Sequence, residues 1–260
     1  MPTVFSRPEL LPKALRSIRG AGAAHILLVS PGASDPRADL LDGLMKADLV
    51  DELVTEQPGL PLATKISDAL KALPKEVEFI GWLGDDDLLE PGALDLARQT
   101  LESDQDLVMV FGDCRYIDQD GNELFINRSG EVAGKLLGYG PQLIPQPGAL
   151  WRRDAFEAVG GLSADFDLAF DYDLFMKLKR HGKISYIPQT LASFRWHADS
   201  LSVKSRWKSA REASRVRIRH QRGPEKLLIL LEPLIILATW MAGKLVTRFR
   251  LSPSRSNQSR

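Results

Sequence analysis

The sequence predicts an α/β fold: a mixed, mostly parallel sheet flanked by helices, followed by a basic and apolar helical tail. Three observations carry this. Strand-like apolar runs alternate with amphipathic helical patterns through the first hundred residues, the chain order of a layered α/β domain. The composition, 44% hydrophobic and 26% charged over 260 residues, is ordinary for a globular chain and excludes collagen-like, low-complexity and wholly disordered classes. Finally, the charge is divided. Residues 203–260 hold 14 basic against 3 acidic residues, a net of +11, while residues 1–202 carry −11. The expected division is therefore a domain over 1–202 and a tail over 203–260.

Each element has a local reason. Ser6 and Glu9 have the spacing of a capping box, Leu10, Leu11, Ala14, Leu15 and Ile18 share one helical face, and Gly20 is the expected stop. His25–Val29 is a short apolar run closed by Ser30-Pro31-Gly32, a strand and a turn. Asp39–Ala47 reads as helix, Glu52–Glu56 as strand and Leu62–Leu73 as helix. Val77–Leu83 is a strong strand, Pro91–Leu101 a helix with proline at its start, and Leu107–Ile117 a long strand. Asp118-Gln119-Asp120-Gly121-Asn122 resembles the start of a calcium loop but lacks the remaining ligands, so it reads as a hairpin turn. Residues 138–149, with three prolines and three glycines, form a loop. Arg153–Val159 and Phe170–His181 read as helices, Lys183–Ile187 and Leu191–His197 as strands.

The tail begins with a basic helix and continues as Leu227–Gly243, 17 apolar-rich residues that contain Glu232 and Pro233. A bilayer span needs about 20 apolar residues, and a carboxylate near its centre costs about 3 kcal/mol. The expectation is a kinked segment lying in a membrane interface, aided by its basic flanks; the alternative is a helix packed on the domain or in a dimer. Arg211, Arg215, Arg219 and Arg222 fit one helical face, yet no aromatic stacking platform accompanies them, so lipid is expected rather than nucleic acid. One cysteine, Cys114, excludes a disulfide framework and a cysteine-based zinc site. No signal-peptide pattern opens the chain, and a cytoplasmic setting is expected.

The sharpest chemical signal is Gly84-Asp85-Asp86-Asp87 at the end of the Val77–Leu83 strand. Adjacent carboxylates repel, and ligands of open α/β sheets bind beyond the carboxyl ends of strands. Hard oxygen donors there suit Mg²⁺ or Mn²⁺ shared with phosphates; the alternative is a helix cap with two solvated aspartates.

Downstream stand Pro147-Gly148-Ala149-Leu150-Trp151-Arg152-Arg153, Val159-Gly160-Gly161-Leu162, Phe170-Asp171-Tyr172-Asp173-Leu174 and Phe194-Arg195-Trp196-His197. Together with the acidic strand end, this series resembles the family-2 glycosyltransferases of the GT-A fold, of bacterial polysaccharide and cell-envelope type, over residues 2–202. The resemblance implies a nucleotide-sugar donor, a glycan or lipid-linked acceptor and a divalent ion. It implies that Asp86, Asp87 and His197 meet the metal, and that Thr3, Asp85, Arg195 and Gln146 line the donor side. Asp171 is implied as the base that takes the acceptor proton in an inverting transfer, with Asp173 the poorer candidate. Arg152 and Arg153 either position phosphate or support the fold, and Asp113 either faces the sugar or begins a turn.

The chain departs from the pattern in three places. Almost nothing of the family's opening strand precedes Pro2-Thr3, Ser30-Pro31-Gly32-Ala33 lacks the usual acidic turn, and Gly84 stands where many members carry an aspartate. These departures motivate the competing expectation, a catalytically inactive binding subunit.

Overall fold

A computed structural model describes residues 7–30, 38–128, 130–196 and 205–250. In chain order the elements are α1 (Leu11–Ala21), β1 (Leu27–Ser30), α2 (Ala38–Lys46), β2 (Glu52–Thr55), α3 (Leu62–Ala72), β3 (Phe79–Ile80), β4 (Leu88–Leu89) and α4 (Ala93–Ser103). There follow β5 (Leu107–Ile117), β6 (Glu123–Asn127), α5 (Gly130–Leu136), β7 (Leu150–Arg152), α6 (Arg153–Ala158), α7 (Phe170–His181), β8 (Lys183–Arg195) and α8 (Arg206–His220). A 3₁₀ segment (Gly223–Leu231) leads into α9 (Glu232–Arg250).

The sheet is mixed, as expected, but parallel pairs are its minority. β1–β2 and β5–β8 pair parallel, whereas β3–β7, β7–β5, β5–β6 and β8–β4 pair antiparallel. The larger sheet runs β3-β7-β5-β8-β4, with β6 beside the far end of β5, and β1–β2 forms a separate pair. Alternation of helix and strand does not reveal that β7, coming late in the chain, slots between β3 and β5.

Side-chain alternation divides the core into two layers. Leu27, Val29, Met109 and Phe111 face the layer built with α3, α6 and α7. Ile26, Leu28, Val110 and Cys114 face the layer built with α1, α2 and α4. Strand β5 is buried on both faces, which is why it reads as an unbroken apolar run.

Several boundaries move for identifiable reasons. Helix α1 begins at Leu11 with Leu10 at its N-cap and no side-chain cap, so the capping box is not what starts it; Ser6 lies outside the described residues. Pro12 fits the first turn, where a missing N–H costs nothing. The stop is Gly22 rather than Gly20. Its φ is 146°, and a Cβ there would lie 2.7 Å from the Asp95 carboxyl. The Val77–Leu83 run yields only the two-residue β3, because its partner β7 is three residues long. The two strands expected over 183–197 are one, β8, whose register with β5 shifts around Asp113. Pro188 lacks the N–H a regular ladder needs, so the strand bulges there instead of ending. The Asp118–Asn122 turn is a hairpin turn as expected, with Asp118 Oδ1 accepting the Asp120 and Asn122 N–H groups at 2.9 and 2.8 Å.

The tail packs on the domain. Glu212 of α8, 4% exposed, accepts the N–H groups of Leu168 and Ala169 at 2.8 and 3.1 Å and so holds the loop that leads into α7. Within the apolar stretch, Glu232 is buried against Arg217, with Nε–Oε1 2.8 Å and Nη2–Oε2 2.6 Å. Residues 226–244 are long and apolar enough to cross a membrane, with mean hydropathy 1.7 and 6% burial. Crossing would require parting Glu232 from Arg217, and breaking such a buried pair costs about 3–5 kcal/mol.

Close approach of β5 and β8 depends on Gly112. A Cβ there would lie 2.6 Å from the Gln189 carbonyl and from the Leu191 side chain. Gly112→Ala is therefore expected to lower unfolding free energy by about 1–3 kcal/mol in urea titration.

Candidate active site

The acidic turn is held from two directions. Beyond β3 the chain runs through Trp82 and Leu83 to Gly84, whose carbonyl accepts the Asp87 N–H at 3.4 Å. Gly84 leaves room for the two carboxylates as they stand, since a Cβ on residue 84 would lie 2.8 Å from Asp87 Oδ2 and 3.2 Å from Asp86 Oδ1. Strand β4 follows at once and pairs with β8, which carries the turn to Arg195. The Arg195 N–H donates to Asp87 Oδ1 at 2.9 Å and its Nε to the Asp86 carbonyl at 3.0 Å. Its Nη1 donates to the carbonyls of Asp118 and Gln119 at 2.8 and 3.0 Å, which ties the acidic turn to the β5–β6 hairpin.

Asp85 and Asp87 are buried, and Asp86 is the half-exposed member. Arg7 Nη1 lies 2.6 Å from Asp86 Oδ2. Burial, and then the charge of Asp86, push the Asp87 carboxyl well above the usual carboxylate range, against the pull of the Arg195 N–H. The hard oxygens of this turn fit a divalent ion bound through one or two carboxylates and a ligand's phosphates. Among the described residues, no group of three or more His, Cys, Asp or Glu side chains converges as a self-sufficient metal cage.

Asp171 sits in the first turn of α7. Its Oδ1 accepts the Tyr172 N–H at 2.7 Å and its Oδ2 accepts the Gln142 side-chain amide at 3.0 Å. The residue as a whole is half-buried. Burial pushes its carboxyl up to about 6, with the Gln142 and Tyr172 hydrogen bonds opposing. Glu212 holds the Leu168 and Ala169 N–H groups just before the helix, while Asp171 takes the Tyr172 N–H of its first turn. The acidic turn and the start of α7 are joined by an aromatic contact between their neighbours. Trp82, three residues before Asp85, packs on Phe170, one residue before Asp171, with ring centroids 6.0 Å apart. The loop carrying Gln142 and Gln146 bridges them, for Gln146 Nε2 donates to the Trp82 carbonyl at 2.8 Å.

No protein-family model matches the chain. Over 127 residues, 49% of its length, it is 27% identical to chondroitin synthase of Pasteurella multocida (strain Pm70), and over 126 residues 27% identical to hyaluronan synthase of Pasteurella multocida. It spans 13% of each of these relatives. Two solved structures share its architecture. S. aureus TarS 1–349 in complex with UDP-GlcNAc aligns at TM-score 0.63 with 10% identity, covering 97% of this chain and 75% of that one. Mannosyltransferase PcManGT from Pyrobaculum calidifontis, in complex with GDP-Man and Mn²⁺, aligns at 0.62 with 16% identity, covering 95% and 74%. The chain has the GT-A fold of these two structures.

Within this GT-A chain, the residues named from sequence separate into groups. The structure brings Asp85, Asp86, Asp87 and Arg195 together at one turn, and links Gln146 and Asp171 to it through Trp82. Thr3 and His197 lie outside the described residues. The Arg195 guanidinium is directed at backbone carbonyls, so its visible work is to position the turn. Arg152 serves the carbonyls of Leu107 and Leu101, and Arg153 those of Pro74 and Lys71; both support the fold. Asp113 Oδ1 accepts the Tyr186 hydroxyl at 2.7 Å. Asp173 is fully buried beside His220 and Lys177 at 2.8 and 2.7 Å. Burial acts to raise its carboxyl, and the His220 and Lys177 hydrogen bonds outweigh that and hold it low. Asp173 thus anchors α8 to α7. A cavity of about 440 Å³, lined by Ile18, Ile26, Phe79, Leu83, Leu94 and Leu150 among others, includes none of these carboxylates.

Sequence reading did not anticipate Arg7, Gln142, Glu212 or His220 as partners of these groups. Each meets its partner across 29 to 79 positions of chain. For one further pair a local signal existed: a single carboxylate within the apolar 226–244 stretch implies a buried cation to meet it.

The raised Asp171 carboxyl has a consequence for stability. The folded state holds this proton more tightly than the unfolded chain, so ionisation costs stability above about pH 6, and the cost vanishes below the unfolded value near 3.8. Asp171→Asn is expected to stabilise the protein by about 1–3 kcal/mol at pH 8 and by little at pH 4, read from urea midpoints at both.

Proposed function

We propose that the chain is an inverting, metal-assisted glycosyltransferase. It moves a sugar from a nucleotide-sugar donor to a glycan or lipid-linked acceptor at the cytoplasmic face of a membrane. The observation that carries this reading is Asp171, a carboxylate on a half-buried residue, gripped by Gln142 and the Tyr172 N–H and joined to the acidic turn through the Trp82–Phe170 contact. The nucleotide-sugars in the TarS and PcManGT structures, and the Mn²⁺ in the latter, support the same donor class and ion.

Asp171 accepts the proton of the acceptor hydroxyl as that oxygen attacks the anomeric carbon. The bond from that carbon to the diphosphate breaks on the opposite face, so configuration inverts and no sugar is held covalently. With a carboxyl near 6, Asp171 is ionised at neutral pH yet basic enough to draw the proton. A divalent cation, Mn²⁺ or Mg²⁺, when bound, supplies positive charge to the departing diphosphate. Asp86, with Asp85 or Asp87 beside it, is where this chain would hold the ion, and the motif assigns His197 to it as well. Arg195 keeps Asp86 and Asp87 in place, while Gln146 and Thr3 belong to the donor side. The exposed apolar run of the tail, with its basic flanks, supports docking through residues 203–250 on an anionic membrane surface rather than on nucleic acid.

A nucleotide-sugar panel assayed with and without Mn²⁺ tests the activity. In the active pair, Asp171→Asn and Asp86→Asn are each expected to lower kcat by at least about a hundredfold with folding intact, and full turnover by either would reject its role. The wild-type kcat should fall about tenfold per pH unit below about 6, as Asp171 takes up its proton. Arg7→Ala removes the cation now paired with Asp86. It should raise Mn²⁺ affinity about two- to fivefold in calorimetry without nucleotide, the range set by a part-exposed ion pair.

A further inference from the structure

Glu232 is the single carboxylate between Lys226 and Lys244, and it is 3% exposed while the stretch around it is 6% buried. The face it leaves to solvent is apolar: Leu227 is 71% exposed, Leu230 79%, Leu234 65% and Met241 48%. Exposed Lys226 and Lys244 stand at its two ends. An apolar strip bounded by cations matches a leaflet with anionic headgroups.

The buried side of the same segment reaches the base. Arg217, 1% exposed, gives Nε and Nη2 to Glu232 and Nη1 to the Gly140 carbonyl at 2.9 Å. That carbonyl also accepts the Tyr172 hydroxyl at 3.1 Å, and the Gly138 N–H donates to the same hydroxyl at 3.2 Å. Two residues beyond Gly140, Gln142 holds Asp171. The loop over 138–142 is thus bracketed by Arg217 on one side and the Asp171-Tyr172 pair on the other.

We propose that Arg217 is a positioning residue: through its joint grip on Glu232 and the Gly140 carbonyl, it passes the docking of the apolar helix on an anionic lipid leaflet to the loop that holds the general base. The proposal rests on the reading of Asp171 as base and of the membrane as partner. Docking fixes the junction where the 3₁₀ segment meets α9, which is where Glu232 lies. The ion pair then holds the Gly140 carbonyl, and Gln142 with it, in register with Asp171. In solution the junction is steadied by α8–α9 contacts, among them Trp207 against Trp240 at 6.1 Å and Arg206 Nη1 to the Gly243 carbonyl at 2.9 Å.

The test compares the full chain with Arg217→Met/Glu232→Leu. Replacing a buried ion pair with apolar residues of similar volume commonly preserves folding, so packing is kept while the tie to Gly140 is lost. Both proteins are floated with vesicles of phosphatidylcholine containing phosphatidylglycerol, with pure phosphatidylcholine as reference. Hydrogen exchange is followed across residues 138–146. Wild type should float with the anionic vesicles, and exchange across 138–146 should slow at least about threefold. The double variant should melt cooperatively and float equally well, with no slowing. Slowing that persists in the double variant, or flotation of wild type with no slowing at all, overturns the latch. Failure of wild type to float refutes the lipid partner, while the role of Asp171 still stands or falls on its own turnover assay. If the double variant does not melt cooperatively, Glu232→Gln takes its place with the same expected loss of response.

Discussion

Three adjacent carboxylates at the end of a buried strand repel one another, and much of the domain is organised around containing that charge. Gly84 removes the side chain that would collide with two of them. Arg195 gives its backbone N–H to Asp87 and its guanidinium to the carbonyls of Asp86, Asp118 and Gln119, so the turn is fixed through backbone as well as charge. Arg7 meets Asp86 on the more open side. Burial first, and the charge of Asp86 second, hold the Asp87 carboxyl well above the usual range, so this turn of hard oxygens sits where its charge is costly.

The second constraint is the helix that presents Asp171. The loop leading into it is held by Glu212 and its flank by His220 against Asp173, and both partners come from the basic tail. The tail is therefore part of the scaffold of Asp171, although its composition suggests an appendage. The buried Arg217–Glu232 pair extends that scaffold to the loop carrying Gln142. Removing one member would leave an unpaired charge in the interior, so the apolar helix is held on the surface of the domain by an electrostatic tie.

Much of the fold was legible in the sequence because much of it is local. Leu107–Ile117 and Phe170–His181 coincide with β5 and α7 to the residue, since an unbroken apolar run and a helical face with charged flanks each define their own limits. The acidic turn also stood out, because unusual residue types after an apolar strand are visible without coordinates, whereas Asp171 was picked out by the resemblance that its Phe170-Asp171-Tyr172-Asp173-Leu174 motif carries. Less legible were β4, two residues long, and β7, whose antiparallel place in the sheet depends on partners far along the chain.

By itself, then, the sequence determined an α/β chain of GT-A type, two sets of chemically distinctive carboxylates, and a tail unlike the rest in charge and hydropathy. Only the tertiary structure decided which cation meets which carboxylate: Arg7 with Asp86, Arg217 with Glu232, His220 with Asp173. Hydrophobic periodicity reports burial on a face a few residues long, whereas an ion pair is set by where two distant backbones happen to converge, and nothing in either local sequence records the distance between them.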